Sequence, residues 1–231
     1  MWCSSARRAG TFDQPSLTIG PSKISPSNVV RDLGVQLRVD LSIIDQVGKV
    51  VRSCYYNIRQ LRTIRSALTQ DVLRDAVYAL ILSRLDYCNA LYINYPTCEL
   101  HRLQMLINTA ARVVSGRSKF DHITDFVRNE LHWLPVAQRV QFKVSILVYK
   151  AIHGLAPKYL SDMIVKSTLV PRCRDLRSSA RVQLIPAPHR RHFAERAFAV
   201  AGQMLLELTS RHMSWCYIAN NFSSFTEGIY V

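Results

Sequence analysis

Apolar positions recur at helical spacing over most of this chain, and the plainest case lies between Pro135 and Gly154. There Val136, Val140, Val144, Leu147, Val148 and Ala151 draw one stripe at about 100° per residue. Phe142, Ile146 and Tyr149 draw a second stripe on another side, so the spacing predicts a core helix covered from both. Pro135 suits a first turn, where a missing N–H costs nothing, and Gly154 suits the residue just past the end. Trp133 before the helix and Pro157 after it pin its two ends. Arg139, Lys143 and Lys150 fall in a narrow wedge between the stripes and give this helix a basic edge.

Toward the N-terminus the period shortens. Residues 1–15 read as a disordered leader. Leu17–Ile19, Lys23–Ser25 and Val29–Leu37 are short, partly alternating runs parted by Gly20-Pro21 and Ser25-Pro26-Ser27-Asn28, the punctuation of small strands and a hairpin. Such strands bury too little area to stand alone, so they are expected to edge something larger or to pack on the neighbouring helices. Ser42-Ile43-Ile44-Asp45 matches a capping box. The helix it opens runs to about Arg65, with Ile44, Val47, Val51, Cys54, Ile58 and Leu61 inward and Lys49, Arg52 and Arg59 on the opposite face.

Thr69 caps a second helix (Leu73, Ala76, Val77, Leu80, Leu85) reaching about Tyr92. Pro96-Thr97 opens a third (Leu100, Leu103, Ile107, Ala110, Val114), closed by Gly116. Short connections make the three an up-down-up bundle. Brief helices are expected around Ile123–Leu131 and from Pro157 to about Val165, and a last one over Arg190–Leu208. Between them Val170–Pro188 carries Arg172, Arg174, Arg177 and Arg181 among three prolines, with one strand-like run at Val182–Ile185; it reads as a loop or ribbon. The expected fold is mainly α: a small strand cluster (16–41), a three-helix bundle (42–116), a second helical segment (117–208) containing the Arg-rich loop 170–188, and an unstructured tail (209–231).

Charge changes this picture. The 231 residues carry 30 Lys+Arg against 16 Asp+Glu, a net +14 that suits polyanions, either nucleic acid or an acidic membrane. From His132 to Val200 there are 12 Lys/Arg and 3 Asp/Glu, which is +9. The six cysteines (Cys3, Cys54, Cys88, Cys98, Cys173, Cys216) show no C-x-x-C pair and no His at ligand spacing, so neither zinc nor a disulfide framework is expected. The expected state is reduced thiols, which suits an intracellular setting, cytoplasmic or nuclear, without fixing the compartment. The first residues lack an apolar signal-peptide core, and no run approaches the roughly 18 apolar residues of a membrane span.

Five stretches, in this order, carry a family resemblance: VRDLGVQL with DLS shortly after, SRLDYCNALY, LQMLINTAARVVSGRSKFDHIT, LHWLPVAQRVQFKVSILVYKAIHGLAPKYLSDMI, and RDLRSSARVQLIPAPHRRHFAERAF. From about Ser16 to Val200 the chain resembles the end of the polymerase polyprotein of non-LTR retrotransposons, the LINE elements of the CR1, L2 and Jockey kind. The resemblance implies that the strands around Leu33-Gly34-Val35 are the last palm strands and that residues 42–116 are a thumb. It also implies that the chain beyond Gly116 is a post-thumb segment associated with template binding. Where the family carries a Leu-Trp pair in the last helix, this chain has Gln203-Met204-Leu205.

Nucleotide addition needs two divalent metals held by carboxylates, usually an Asp-Asp pair and one further Asp. No adjacent Asp-Asp occurs here, and the residues before Ser16 are too few to hold a palm, so neither a palm nor the family's endonuclease is expected within these residues. No G-x-S-x-G, H-E-x-x-H or glycine-rich phosphate loop occurs either, and His122, His132 and His153 read as partly buried spacers. The expectation is a non-catalytic chain without cofactor or metal. It would bind RNA or an RNA–DNA hybrid with low sequence preference through Lys49, Arg52, Arg59, Arg139, Lys143, Lys150, Arg172, Arg174, Arg177, Arg181, Arg190 and Arg191, without a membrane. Trp133 and Tyr149 read as core, while Tyr55 and Tyr56, being adjacent, cannot both face inward. The competing expectation is a helical protein-interaction module, or a decaying reading frame, whose apolar face once met a partner.

Overall fold

The computed structural model describes Cys3, residues 15–164, Leu184 and residues 192–212. The fold is mainly α, with two small antiparallel hairpins leading into helices. Strands β1 (Leu17–Ile19) and β2 (Ser22–Ile24) pair Leu17 with Ile24 and Ile19 with Ser22. Strands β3 (Val29–Asp32) and β4 (Val35–Arg38) pair Val29 with Arg38 and Asp32 with Val35. The single run expected over Val29–Leu37 is therefore two strands. Its turn is Leu33-Gly34, at φ +43° and +86°, the positive pair that a two-residue hairpin demands and that glycine supplies most cheaply. The Tyr87 hydroxyl donates to the Leu33 carbonyl at 2.5 Å and holds that turn.

Contacts divide the chain into two units, residues 1–88 with 97–133, and residues 89–96 with 134–231. In the first, α1 (Ile44–Ile64) buries Gln46, Val47, Val50, Cys54, Ile58 and Leu61. Val51 is only half-buried and Ile44 is exposed, so the inner face turns further toward Val50 than the spacing of apolar residues suggested. The buried Gln46 explains the shift, because its side-chain oxygen accepts from the Gln36 amide at 3.2 Å and ties β4 to the helix. Ile43 rather than Ser42 stands at the N-cap: Asp45 pairs with Arg38 at 3.9 Å, the Ser42 amide donates to Asp40 at 3.0 Å, and the Ser42 hydroxyl accepts from the Ile44 amide at 3.4 Å.

The second helix begins after Thr69 as expected but is not a uniform α-helix. Helix α2 (Gln70–Val77) passes through a wider π turn (Tyr78–Leu82) into α3 (Ser83–Asp86). A π turn advances fewer degrees per residue, so the apolar register slips by one position. Ile81 and Leu82 are buried and Leu80 is exposed, which corrects the face expected from Leu80. Helix α4 (Thr97–Ser115) buries Leu103, Leu106, Ile107, Ala110, Ala111, Val113 and Val114. Cross-links fix the directions. Asn57 donates to the Leu80 carbonyl at 3.1 Å and Arg84 reaches Ser53, so α1 and α2–α3 run antiparallel. Arg65, at the end of α1, lies on Gly116, at the end of α4, so these two run parallel. Buried among them, the Cys54 thiol is pushed up to about 11 by desolvation, the Arg84 charge pulling the other way.

The brief helix expected around Ile123–Leu131 is there as a short helical stretch that widens into a π turn over Phe126–Glu130 and leads to Trp133. Its ring is 1% exposed, stands edge-on to Tyr78 (5.7 Å, 79°), and donates from Nε1 to the Tyr78 hydroxyl at 2.8 Å.

The second unit centres on α5 (Val136–Ile152) and α7 (Phe198–His212). Val136, Val140, Val144, Val148 and Ala151 of the first stripe are buried, whereas Leu147, also expected inside, is half-buried. The second stripe is only partly covered: Phe142 and Ile146 are half-buried, and Tyr149 is exposed, its ring tilted against that of His153 with centroids 4.2 Å apart. Helix α6 is one turn (Lys158–Ser161). The last helix departs from the expected span Arg190–Leu208. The described chain forms a 3-10 turn over His192–Arg196 and then a helix to His212, past the expected start of the tail at 209. Arg196 lies over the Tyr95 ring at 5.1 Å and donates to the Leu91 carbonyl at 3.5 Å, while Asn94 donates to the Glu195 carbonyl at 2.9 Å.

Helices α5 and α7 come close together at Gly202, where an added Cβ would stand 2.7 Å from Val148 Cγ2. Gly202→Ala should therefore destabilise the protein by about 1–3 kcal/mol through overpacking. Val148→Ala in the same chain removes the clashing methyls. Urea unfolding of the two single variants and the double variant should give a favourable coupling of about 1 kcal/mol or more; strict additivity would mean that the helices do not meet there.

Candidate nucleic-acid interface

Several cationic side chains of the first unit lie on α1 and on the loop after α4. Arg52 and Arg59 are exposed and Lys49 is half-buried, and none of the three forms an ion pair among the described residues. Arg52 makes a 3.3 Å bond from Nε to the Gly48 carbonyl of its own helix. Two further exposed arginines, Arg62 and Arg65, extend this set. From Arg52 the steps to Arg59, Arg62 and Arg65 are seven, three and three residues, so Arg59 stands about two turns beyond Arg52 on the same side and the next two follow about one turn apart. The row winds around the helix and ends at Gly116, where an added Cβ would collide with the Arg65 guanidinium. Sequence reading missed Arg62 and Arg65 because neither falls on the face opposite the core; spacing at three-residue steps was the signal available.

The loop from Gly116 to Ile123 is tied down by its own polar groups. Arg112 Nη2 donates to the Asp121 carbonyl and Arg117 Nη1 to the His122 carbonyl, both at 3.1 Å. The Ser118 amide donates to Asp121 Oδ2 at 2.7 Å, and the Arg117 guanidinium also lies over the Phe126 ring at 5.1 Å. Gly116, at φ +75°, makes the turn out of α4. At the tip Phe120 is 89% exposed, with Lys119 Nζ 5.9 Å from its ring centre.

The other expected contacts separate. In the second unit Lys143 is exposed and Lys150 is half-buried. Arg139 is not on an open edge: it is 5% exposed and donates from Nε to the Leu134 carbonyl at 3.0 Å, which bridges the start of its helix. The wedge of three is thus split, because the neighbours of α5 cover one end of it. Arg172, Arg174, Arg177, Arg181, Arg190 and Arg191 lie outside the described residues. Of residues 170–188 only Leu184 is described, its carbonyl accepting from Gln203 at 3.4 Å. Tyr55 and Tyr56 are both exposed. His122, His132 and His153 are exposed rather than partly buried.

Among the described residues no group of three or more His, Cys, Asp or Glu is placed to hold a metal ion, and no helix is long and apolar enough to cross a membrane. Cys3, Cys54, Cys88 and Cys98 are free thiols, Cys54 alone among them being buried. No protein-family model, no curated protein and no solved structure matches this chain.

Proposed function

We propose that this chain is a non-catalytic nucleic-acid-binding piece of a LINE-type RNA-directed DNA polymerase: palm-edge strands, thumb and post-thumb segment without the metal-binding aspartates. It grips the sugar–phosphate backbone of RNA or an RNA–DNA hybrid. The observation that carries this reading is the winding row of exposed arginines on α1, Arg52, Arg59 and Arg62, which make no ion pair among the described residues, leading to Arg65 and the basic loop after α4. Guanidinium groups left without carboxylate partners along one helix offer a backbone of phosphates charge-assisted, sequence-independent contacts. The arginines of residues 170–191 add to the same charge.

The test is fluorescence anisotropy with labelled RNA across a salt series. Micromolar binding at about 50 mM salt that weakens steeply as salt rises, with little difference between sequences, is expected. Affinity no better than high micromolar at that salt removes the reading.

One observation favours a second reading, a protein partner. Leu17, Ile19 and Ile24 share a face of the first hairpin and are 55%, 64% and 51% exposed, an apolar patch on a small two-stranded element. A chain that aggregates alone, and becomes monodisperse only with a partner, would favour this reading over RNA binding.

A further inference from the structure

We infer that the loop Gly116–His122 is a stacking hook for an unpaired base, with Phe120 as the platform and Lys119 and Arg65 as its phosphate contacts. The inference rests on the nucleic-acid reading above and names the part of the polymer that this loop takes, a single-stranded segment.

Phe120 is exposed although its loop is braced. A phenylalanine that is 89% exposed contributes nothing to the core, yet the loop carrying it is tied by several hydrogen bonds. Arg112 and Arg117 grip its carbonyls from beneath, Asp121 caps the Ser118 amide, and the Phe120 amide donates to Ser118 Oγ at 3.3 Å. The ring is thus presented on a short, braced turn, so little conformational freedom remains to be lost when something binds it. The surroundings select the ligand. Lys119 stands 5.9 Å from the ring, and the Arg65 guanidinium lies at the base of the loop on Gly116. A flat aromatic surface beside cations matches a nucleobase beside its phosphates, and base–aromatic stacking tolerates any base. A membrane hook, by contrast, needs a broad apolar face, and Phe120 is the one large apolar side chain exposed between Gly116 and His122. In a duplex the bases are already stacked on each other, so the hook discriminates for single strands.

The experiment uses the full chain with Phe120→Ala and Phe120→Trp, each checked for an unchanged thermal melt. Anisotropy is measured with a single-stranded RNA of about twelve nucleotides and with a duplex of the same length. Phe120→Ala should weaken single-strand binding about tenfold while changing duplex binding little, and Phe120→Trp should restore the single-strand affinity. Equal single-strand affinity for wild type and Phe120→Ala overturns the hook, as does an equal loss on both probes. If the hook fails while charge reversal on α1 still weakens binding, the nucleic-acid reading stands without it. If the wild type binds neither probe, both fall. Sedimentation with phosphatidylserine vesicles is the remaining arm: a Phe120-dependent shift there, with RNA binding unaffected, assigns the loop to a lipid surface and overturns the inference.

Discussion

Replacing Trp133 by alanine is expected to destabilise the first unit by about 3–5 kcal/mol, the largest single-residue effect anticipated in this chain. Its ring is 1% exposed, so deletion leaves a cavity that the surrounding backbone closes only in part. The loss has a second component. Trp133 Nε1 donates to the Tyr78 hydroxyl, and the two rings meet edge to face. Tyr78 sits at the start of the π turn, so removing its partner also loosens the segment that carries the buried Ile81 and Leu82. Trp133→Phe separates the contributions. It keeps most of the apolar contact and removes the donor, and should cost about 1–2 kcal/mol. Chemical denaturation followed by far-ultraviolet circular dichroism measures both. A cost for Trp133→Ala of about 1 kcal/mol or less would mean that the ring is not a core residue.

The second large effect concerns binding. The triple variant Arg52→Glu, Arg59→Glu and Arg62→Glu should lower RNA affinity about a hundredfold or more at low salt. Three attractive phosphate contacts become repulsive ones, in a charge-dominated interaction. The slope of log affinity against log salt should fall by about 2 for a single strand, or about 3 for a duplex, if each arginine neutralises one phosphate. These side chains are exposed and make no ion pair among the described residues, so the fold should be unaffected. A comparison set, Arg172, Arg174, Arg177 and Arg181 to Glu, reports on the later arginine cluster. It should lower affinity by a similar factor for every sequence tested. A triple variant that binds as tightly as the wild type, with an unaltered salt slope, would remove α1 from the interface.

These two experiments address parts of the molecule that differ in how readily they are read from sequence. Trp133 is recognisable as core because an aromatic at helical spacing more often packs inward than outward, although the same reasoning fails for Tyr149, which is exposed. Its specific partner, Tyr78, lies 55 residues earlier and no local pattern indicates it. The α1 row is half visible: Lys49, Arg52 and Arg59 stand opposite the apolar stripe. Arg65 gains its place only because the C-terminal ends of α1 and α4 come together, bringing it onto Gly116. Phe120 escapes a sequence reading because one aromatic in a polar loop carries no periodic signal; its meaning lies in being exposed while its loop is braced.

Periodicity determined by itself that the chain is mainly helical, where α1, α4 and α5 lie, and that short strands precede them. The reason is that burying one apolar stripe per helix dominates the free energy of helix formation in water, and the stripe is written directly in residue spacing. Composition likewise determined the strong positive charge. Tertiary structure alone decided the register after Tyr78, the withdrawal of Arg139 from the surface, the exposure of Tyr149, and the meeting of Arg65 with Gly116. Each of these depends on which neighbour covers a given side chain, and that neighbour comes from a distant part of the chain whose approach no local spacing encodes.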